Sequence, residues 1–336
     1  MKKRLHGRDE PIFEPELPII DAHHHLFDRA GARYLLEDIA EDIALGHDVR
    51  ATVYVESRAV LREDGPEALR PVAEVEFAQA IAEDSATRRC GPARVNAAIV
   101  GYADLSLGSE AGRTLDAHAA AAPHRFRGIR QVTLWHPDPA PNRFMFTPPE
   151  PGIMTSPEFR KGFAELAARG LSFDAAVFHT QLAELAQLAR AFPDTRIVLN
   201  HLGFAMGMGC TAETRRDVFS QWRRALRDLA CHPNVVAKIG GLGMPFWGFG
   251  FEDAEASVHS DVLARAWRPY VLDGIEIFGP DRCMMESNFP ADGHSCGYVP
   301  LWNALKKITR DFTPAEKAAL YWGTAARTYG IDVARP

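Results

Sequence analysis

Eight short apolar runs rich in β-branched residues recur along the chain, separated by longer stretches of helical periodicity. The runs cover 19–25, 51–56, 95–102, 126–133, 171–178, 196–200, 234–240 and 282–288. Apolar residues at helical spacing predict helices over 68–84, 108–122, 156–169, 181–192, 211–231, 262–272 and 314–329. The last opens on Thr313-Pro314-Ala315-Glu316, a capping box with proline at the first helical position. Eight strands alternating with helices predict an α/β fold, a (β/α)8 TIM barrel. It would form one domain over 1–336, with 1–16 as an N-terminal extension. The alternative, an open doubly wound sheet, lacks support because no glycine-rich phosphate fingerprint follows the first run.

Composition narrows the function classes. An apolar fraction of 46% with 24% charged residues is that of an ordinary globular protein. A net charge of −6 gives no reason to expect nucleic acid or an anionic membrane as partner. Cys90, Cys210, Cys231, Cys283 and Cys296 are scattered, odd in number and without a CxxC pair, so reduced thiols are expected. Residues 1–18 contain no apolar leader core, and no run reaches the length of a membrane span. The expectation is a cytoplasmic protein acting on a small molecule.

The first run ends in Asp21-Ala22-His23-His24-His25. Strand alternation places Asp21, His23 and His25 on one face, with Ala22 and His24 on the other. Two imidazoles two residues apart can converge on a metal or a substrate oxygen. Other polar residues also fall at the C-terminal ends of runs: Glu56, Arg130, His179, His201, Lys238, Glu286 and Asn288. In a barrel these ends share one mouth. The Pro-rich stretch 137–157 and the Gly-rich stretches 203–209 and 240–250 read as loops over it. Trp135 and the aromatics of 244–251 would supply an apolar wall or a subunit contact.

Asp21 to His25, His179, Asn200-His201-Leu202-Gly203 and Glu286-Ser287-Asn288-Phe289-Pro290 together resemble the amidohydrolase superfamily. Within it, the chain is similar to the amidohydrolase-related branch that includes lactonases of 2-pyrone-4,6-dicarboxylate and of sugar acids. The resemblance extends to the closing stretch 323–331. It implies that His23, His25 and His179 hold one divalent metal (zinc, manganese or iron) or face the substrate directly, since some lactonases of this branch work without metal. His201 would lie near the substrate carbonyl or the metal, or be held between Asn200 and a loop carbonyl. Arg130 would bind a substrate carboxylate through its planar fork. Lys238, in an otherwise apolar strand, needs either a substrate anion or a carboxylate partner, Glu56 or Glu286, and Glu56 is itself a candidate substrate contact.

Strand eight departs from the superfamily pattern. Asn288 stands where an aspartate general base is usual, and an amide cannot take a proton at neutral pH. Glu286 is the nearest replacement carboxylate, with Glu56 and Asp292 as the others. The resemblance thus implies a hydrolase opening a lactone of a carboxylated metabolite. The alternatives are a lyase (a non-oxidative decarboxylase or hydratase) and a barrel that binds a small acid without turning it over. A homodimer or higher homo-oligomer is the expected assembly.

Overall fold

The structure is a computed structural model that describes residues 10–332 apart from 30, 89, 90, 92, 146 and 147. Cys90 and residues 1–9 of the N-terminal extension lie outside the described residues. Each of the eight apolar runs forms a strand: β1 Ile19–His24, β2 Val49–Val55, β3 Arg94–Gly101, β4 Phe126–Val132, β5 Ser172–Ala176, β6 Ile197–Leu199, β7 Val235–Ile239 and β8 Cys283–Met285. They pair in parallel and in chain order. A bridge between His24 and Phe289 brings the first and last strands together, so the sheet is a nearly closed (β/α)8 barrel.

The described residues also form ten α-helices: α1 Leu36–Ile43, α2 Val72–Arg88, α3 Ala111–Ala121, α4 Pro157–Ala167, α5 Leu182–Ala191, α6 Ala212–Ala230, α7 Ser260–Phe278, α8 Tyr298–Ile308, α9 Pro314–Ala318 and α10 Thr324–Tyr329. Seven of the helical segments begin within a few residues of their expected starts. The expected helix 314–329 is divided by a π-helical turn, Ala319–Gly323. Its start is capped reciprocally: Glu316 N–H donates to Thr313 Oγ1 and Thr313 N–H to Glu316 Oε2. Helices α1 and α8 were not expected. Every residue of α8 except Lys307 is buried, so it carries no polar face to mark a helical period.

The barrel separates two cores. Outside it, strand residues such as Phe173 pack on Phe159 and Phe163 of α4. Inside it, Ile20, Val53, Val55, Ala98, Val100, Val198, Val236 and Met284 meet Ala325 and Tyr329 of α10. Helix α10 therefore covers the N-terminal end of the barrel. Arg127, at the start of β4, donates from Nε to Tyr329 O at 2.8 Å. Its other hydrogen bonds also go to backbone carbonyls, those of Phe126 and His124. Among the described residues, no helix is long and apolar enough to cross a membrane.

Candidate active site

A register shift between Asp21 and His24 interrupts the alternation of β1. Asp21 consequently does not share a face with His23 and His25, as strict alternation requires. Its carboxylate faces outward and accepts from Ser287 N–H at 2.8 Å and from Tyr298 O–H of α8 at 3.1 Å. His24 also points outward, its Nε2 lying 2.9 Å from Thr52 Oγ1. His23 and His25 turn into the barrel, with their Nε2 atoms 3.2 Å apart. His25 Nδ1 donates to Val55 O at 2.8 Å, which leaves its lone pair on Nε2, facing His23.

His23 is the hub. Its Nδ1 lies 3.0 Å from Glu286 Oε2 and 3.4 Å from Lys238 Nζ, and its Nε2 lies 3.3 Å from Arg130 Nη1. On the far side of Glu286, His201 Nδ1 meets Oε1 at 2.6 Å. His23, His201 and Glu286 thus offer ligand atoms within 4.8 Å of one another. Glu286 Oε2 is buried and, despite its nearness to His23, has no hydrogen-bond partner among the described residues. Two imidazoles and a carboxylate with an unsatisfied oxygen are a suitable donor set for one divalent ion.

The other expected residues take different positions. His179 opens a short 3₁₀ turn, His179–Gln181, after β5; its Nδ1 accepts from Met206 N–H at 3.2 Å, so its lone pair is already engaged. It is not part of the three-residue cluster. Arg130 and Glu56, both expected to face substrate, are bonded to each other, with Nε donating to Oε1 at 2.7 Å. Only Nη1 of Arg130 is directed at the histidines. Asn288 has φ 52° and donates from Nδ2 to Asp292 Oδ1 at 2.8 Å, so it shapes the loop after β8. Asp292 is buried in that loop and also accepts from Gly243 N–H at 2.8 Å. The structure pairs Lys238 with neither Glu56 nor Glu286. It donates to Asp174 Oδ2 at 2.7 Å, with both side chains fully buried.

Asp174 is a site residue that the sequence did not single out. It accepts from Lys238, from Asn200 Nδ2 at 3.0 Å and from Tyr329 O–H at 2.9 Å. The available signal was a lone acidic residue in the apolar strand SFDAA.

Burial dominates the electrostatics. It holds His23, His25 and His201 well below the usual imidazole range, with Lys238 or Arg130 adding to the effect. Neutral imidazoles suit metal binding and proton transfer alike. Burial raises Glu286 to about 8, with Lys238 pulling it back only in part. Asp292 is raised to about 8 for the same reason. A surface hollow of about 450 Å³ lined by Gly170, Pro193, Asp194, Arg196 and Asn234 lies by the starts of β5 to β7, at the opposite end from the histidines. Active sites of this fold lie at the C-terminal end.

The amidohydrolase family model matches residues 20–331, so the chain belongs to the amidohydrolase family. A relative from Sinorhizobium fredii, the uncharacterized protein y4mH, is 35% identical, with 94% of this chain and 99% of that one covered. An L-fucono-1,5-lactonase from Burkholderia multivorans is 28% identical over 72% of this chain and 74% of its own. Among solved structures, an amidohydrolase from Burkholderia multivorans with bound zinc matches at TM-score 0.71 and 24% identity, covering 94% of this chain and 99% of that one. Decarboxylases share the fold at lower identity.

Proposed function

We propose that the protein is a hydrolase that opens a lactone of a small carboxylated metabolite. The observation that carries this reading is the Glu286 carboxyl group seated between His23 and His201, with two cations within 3.4 Å of His23. The L-fucono-1,5-lactonases among its relatives support it.

In the proposed reaction a water oxygen attacks the lactone carbonyl carbon. The Glu286–His201 pair takes the water's proton, and the ring C–O bond breaks. The same pair then returns the proton to the departing alkoxide, giving a hydroxy acid. Glu286 holds His201 through Nδ1, which leaves Nε2 free to face the substrate. Lys238 and Arg130 place positive charge beside the position where the carbonyl oxygen becomes an oxyanion. Arg130 Nη1, the part of that guanidinium not bonded to Glu56, is the group that would meet an anionic substrate. His23, His201 and Glu286 are also the groups that would hold a divalent ion, which when bound would act as a Lewis acid on the carbonyl in place of the free proton-accepting pair.

A panel of lactones and small aromatic acids tests the proposal. Ring opening without CO₂ supports it. Release of CO₂ or a new C=C absorbance would replace it with the lyase reading.

A further inference from the structure

We infer that Gly240 and Gly241, just beyond β7, are positioning residues of the centre: the space left by their missing side chains is where Glu286 and His201 meet. The inference rests on reading that pair as the reacting groups.

Strands β7 and β8 pair as far as Ile239 opposite Met285, and Glu286 N–H then donates to Ile239 O at 3.2 Å. Gly240 therefore lies beside Glu286. A Cβ at 240 would run into Glu286 Cγ and stand 2.5 Å from its backbone oxygen. A Cβ at 241 would run into His201 Nδ1 and stand 2.5 Å from Cγ and 2.8 Å from Cβ of the same side chain. Nδ1 is the atom that meets Glu286.

Neither partner has room to retreat. Glu286 is fully buried and His201 is 4% exposed. The His201 backbone is committed as well: His201 and Leu202 have φ 53° and 52°, a left-handed run rare for residues with side chains. Trp222 Nε1–H pins Leu202 O at 2.7 Å. An ordinary residue at either position would push apart the carboxylate and the imidazole, which are contributed by strands on either side of β7. The stretch Lys238 to Gly241 thus supplies both a cation to the centre and the gap in which the pair forms.

The test compares Gly240→Ala and Gly241→Ala with Gly170→Ala. Gly170 has the same φ of 62° as Gly241 but nothing within 4 Å of its added Cβ, so it isolates backbone strain. In water, the wild-type protein freed of metal should show a downfield proton resonance from the His201 N–H held by Glu286, moved upfield in Glu286→Gln. Gly170→Ala should keep this resonance; Gly240→Ala and Gly241→Ala should lose it. On a lactone substrate their kcat should fall on the order of 10²-fold with KM little changed.

If the alanine variants fold poorly, the thermal midpoint of Gly241→Ala is also measured in a His201→Ala background. With the ring removed, the loss should shrink to that of Gly170→Ala. Resonances retained in both alanine variants, or an equal loss in both backgrounds, would overturn the inference. A protein that opens no lactone yet loses the resonance would refute the proposed reaction while upholding this inference.

Discussion

His201 Nδ1 lies 2.6 Å from Glu286 Oε1, although 85 residues separate the two along the chain and β7 runs between their strands. When Glu286 is ionised the contact sets the imidazole tautomer: Nδ1 carries the proton toward the carboxylate, and Nε2 is left as the proton acceptor. It also places the strand-eight carboxylate two residues before Asn288, where the superfamily's aspartate would stand.

Glu286→Gln keeps an oxygen for His201 but removes the group that takes and returns the proton. Turnover should fall by about 10²–10⁴-fold, the usual share of general acid–base catalysis. The thermal midpoint should not drop, because an amide replaces a carboxyl group that burial disfavours as an anion. Steady-state kinetics beside a melting curve checks both; unchanged turnover removes Glu286 from the mechanism.

Asp174 and Lys238 should respond unequally to removal. Asp174→Ala leaves a fully buried ammonium without its counter-charge and should cost about 3–5 kcal/mol. Lys238→Met leaves Asp174 still accepting from Asn200 and Tyr329, so its cost should be smaller. Urea unfolding of the two variants gives the comparison, and equal losses would contradict the network described.

Stability should peak near pH 6.5. Burial lowers His24 and His47 to about 3, His118 and His179 to about 4, and His23, His25 and His201 well below 6.5. Between those values and 6.5 the unfolded chain binds more protons, so stability rises with pH. Glu286, raised from 4.5 to about 8, and Asp292, raised from 3.8 to about 8, act in the opposite sense. The folded state there holds the extra protons, and stability falls as pH climbs toward 8. Asp21, raised from 3.8 to about 6, and Glu74, also raised by burial, act with them; the seven histidines still outnumber these four acids, so the net rise should persist to about 6.5 and then give way to a fall. A melting midpoint that keeps climbing from pH 6.5 to 8 would contradict this.

Metal retention separates two candidate ligand sets. Elemental analysis should find about one equivalent of a divalent metal after purification in its presence. His201→Ala and Glu286→Gln should lose it, whereas His179→Ala should keep it, because the His179 lone pair already accepts from Met206. Loss in His179→Ala with retention in His201→Ala would restore the set read from the sequence.

Much of the architecture was legible because it depends on local patterning. Apolar runs such as those around Ile197 and Val235 are flanked by amphipathic helices, and both periods survive in the sequence. Helix α8 escaped because burial on all sides erased its period. In the site, the polar residues at strand ends were legible individually, but their pairings were not. That Asp21 faces Tyr298 follows from a register shift, and that Lys238 meets Asp174 follows from which strands are neighbours' neighbours. Arg130 and Glu56, each plausible as a substrate contact, sit on strands separated by only β3 and satisfy each other. Such pairings are properties of the closed barrel, not of any one segment.

The central claim is that the Glu286–His201 centre opens a lactone with water. Its most direct test is hydrolysis of a lactone panel in ¹⁸O-labelled water, with wild type and Glu286→Gln side by side. The account predicts one acid group released per lactone consumed, one labelled oxygen in the new carboxylate, no CO₂, and near-complete loss in the variant. Release of CO₂, a new C=C absorbance, or tight binding without turnover across the panel would contradict it.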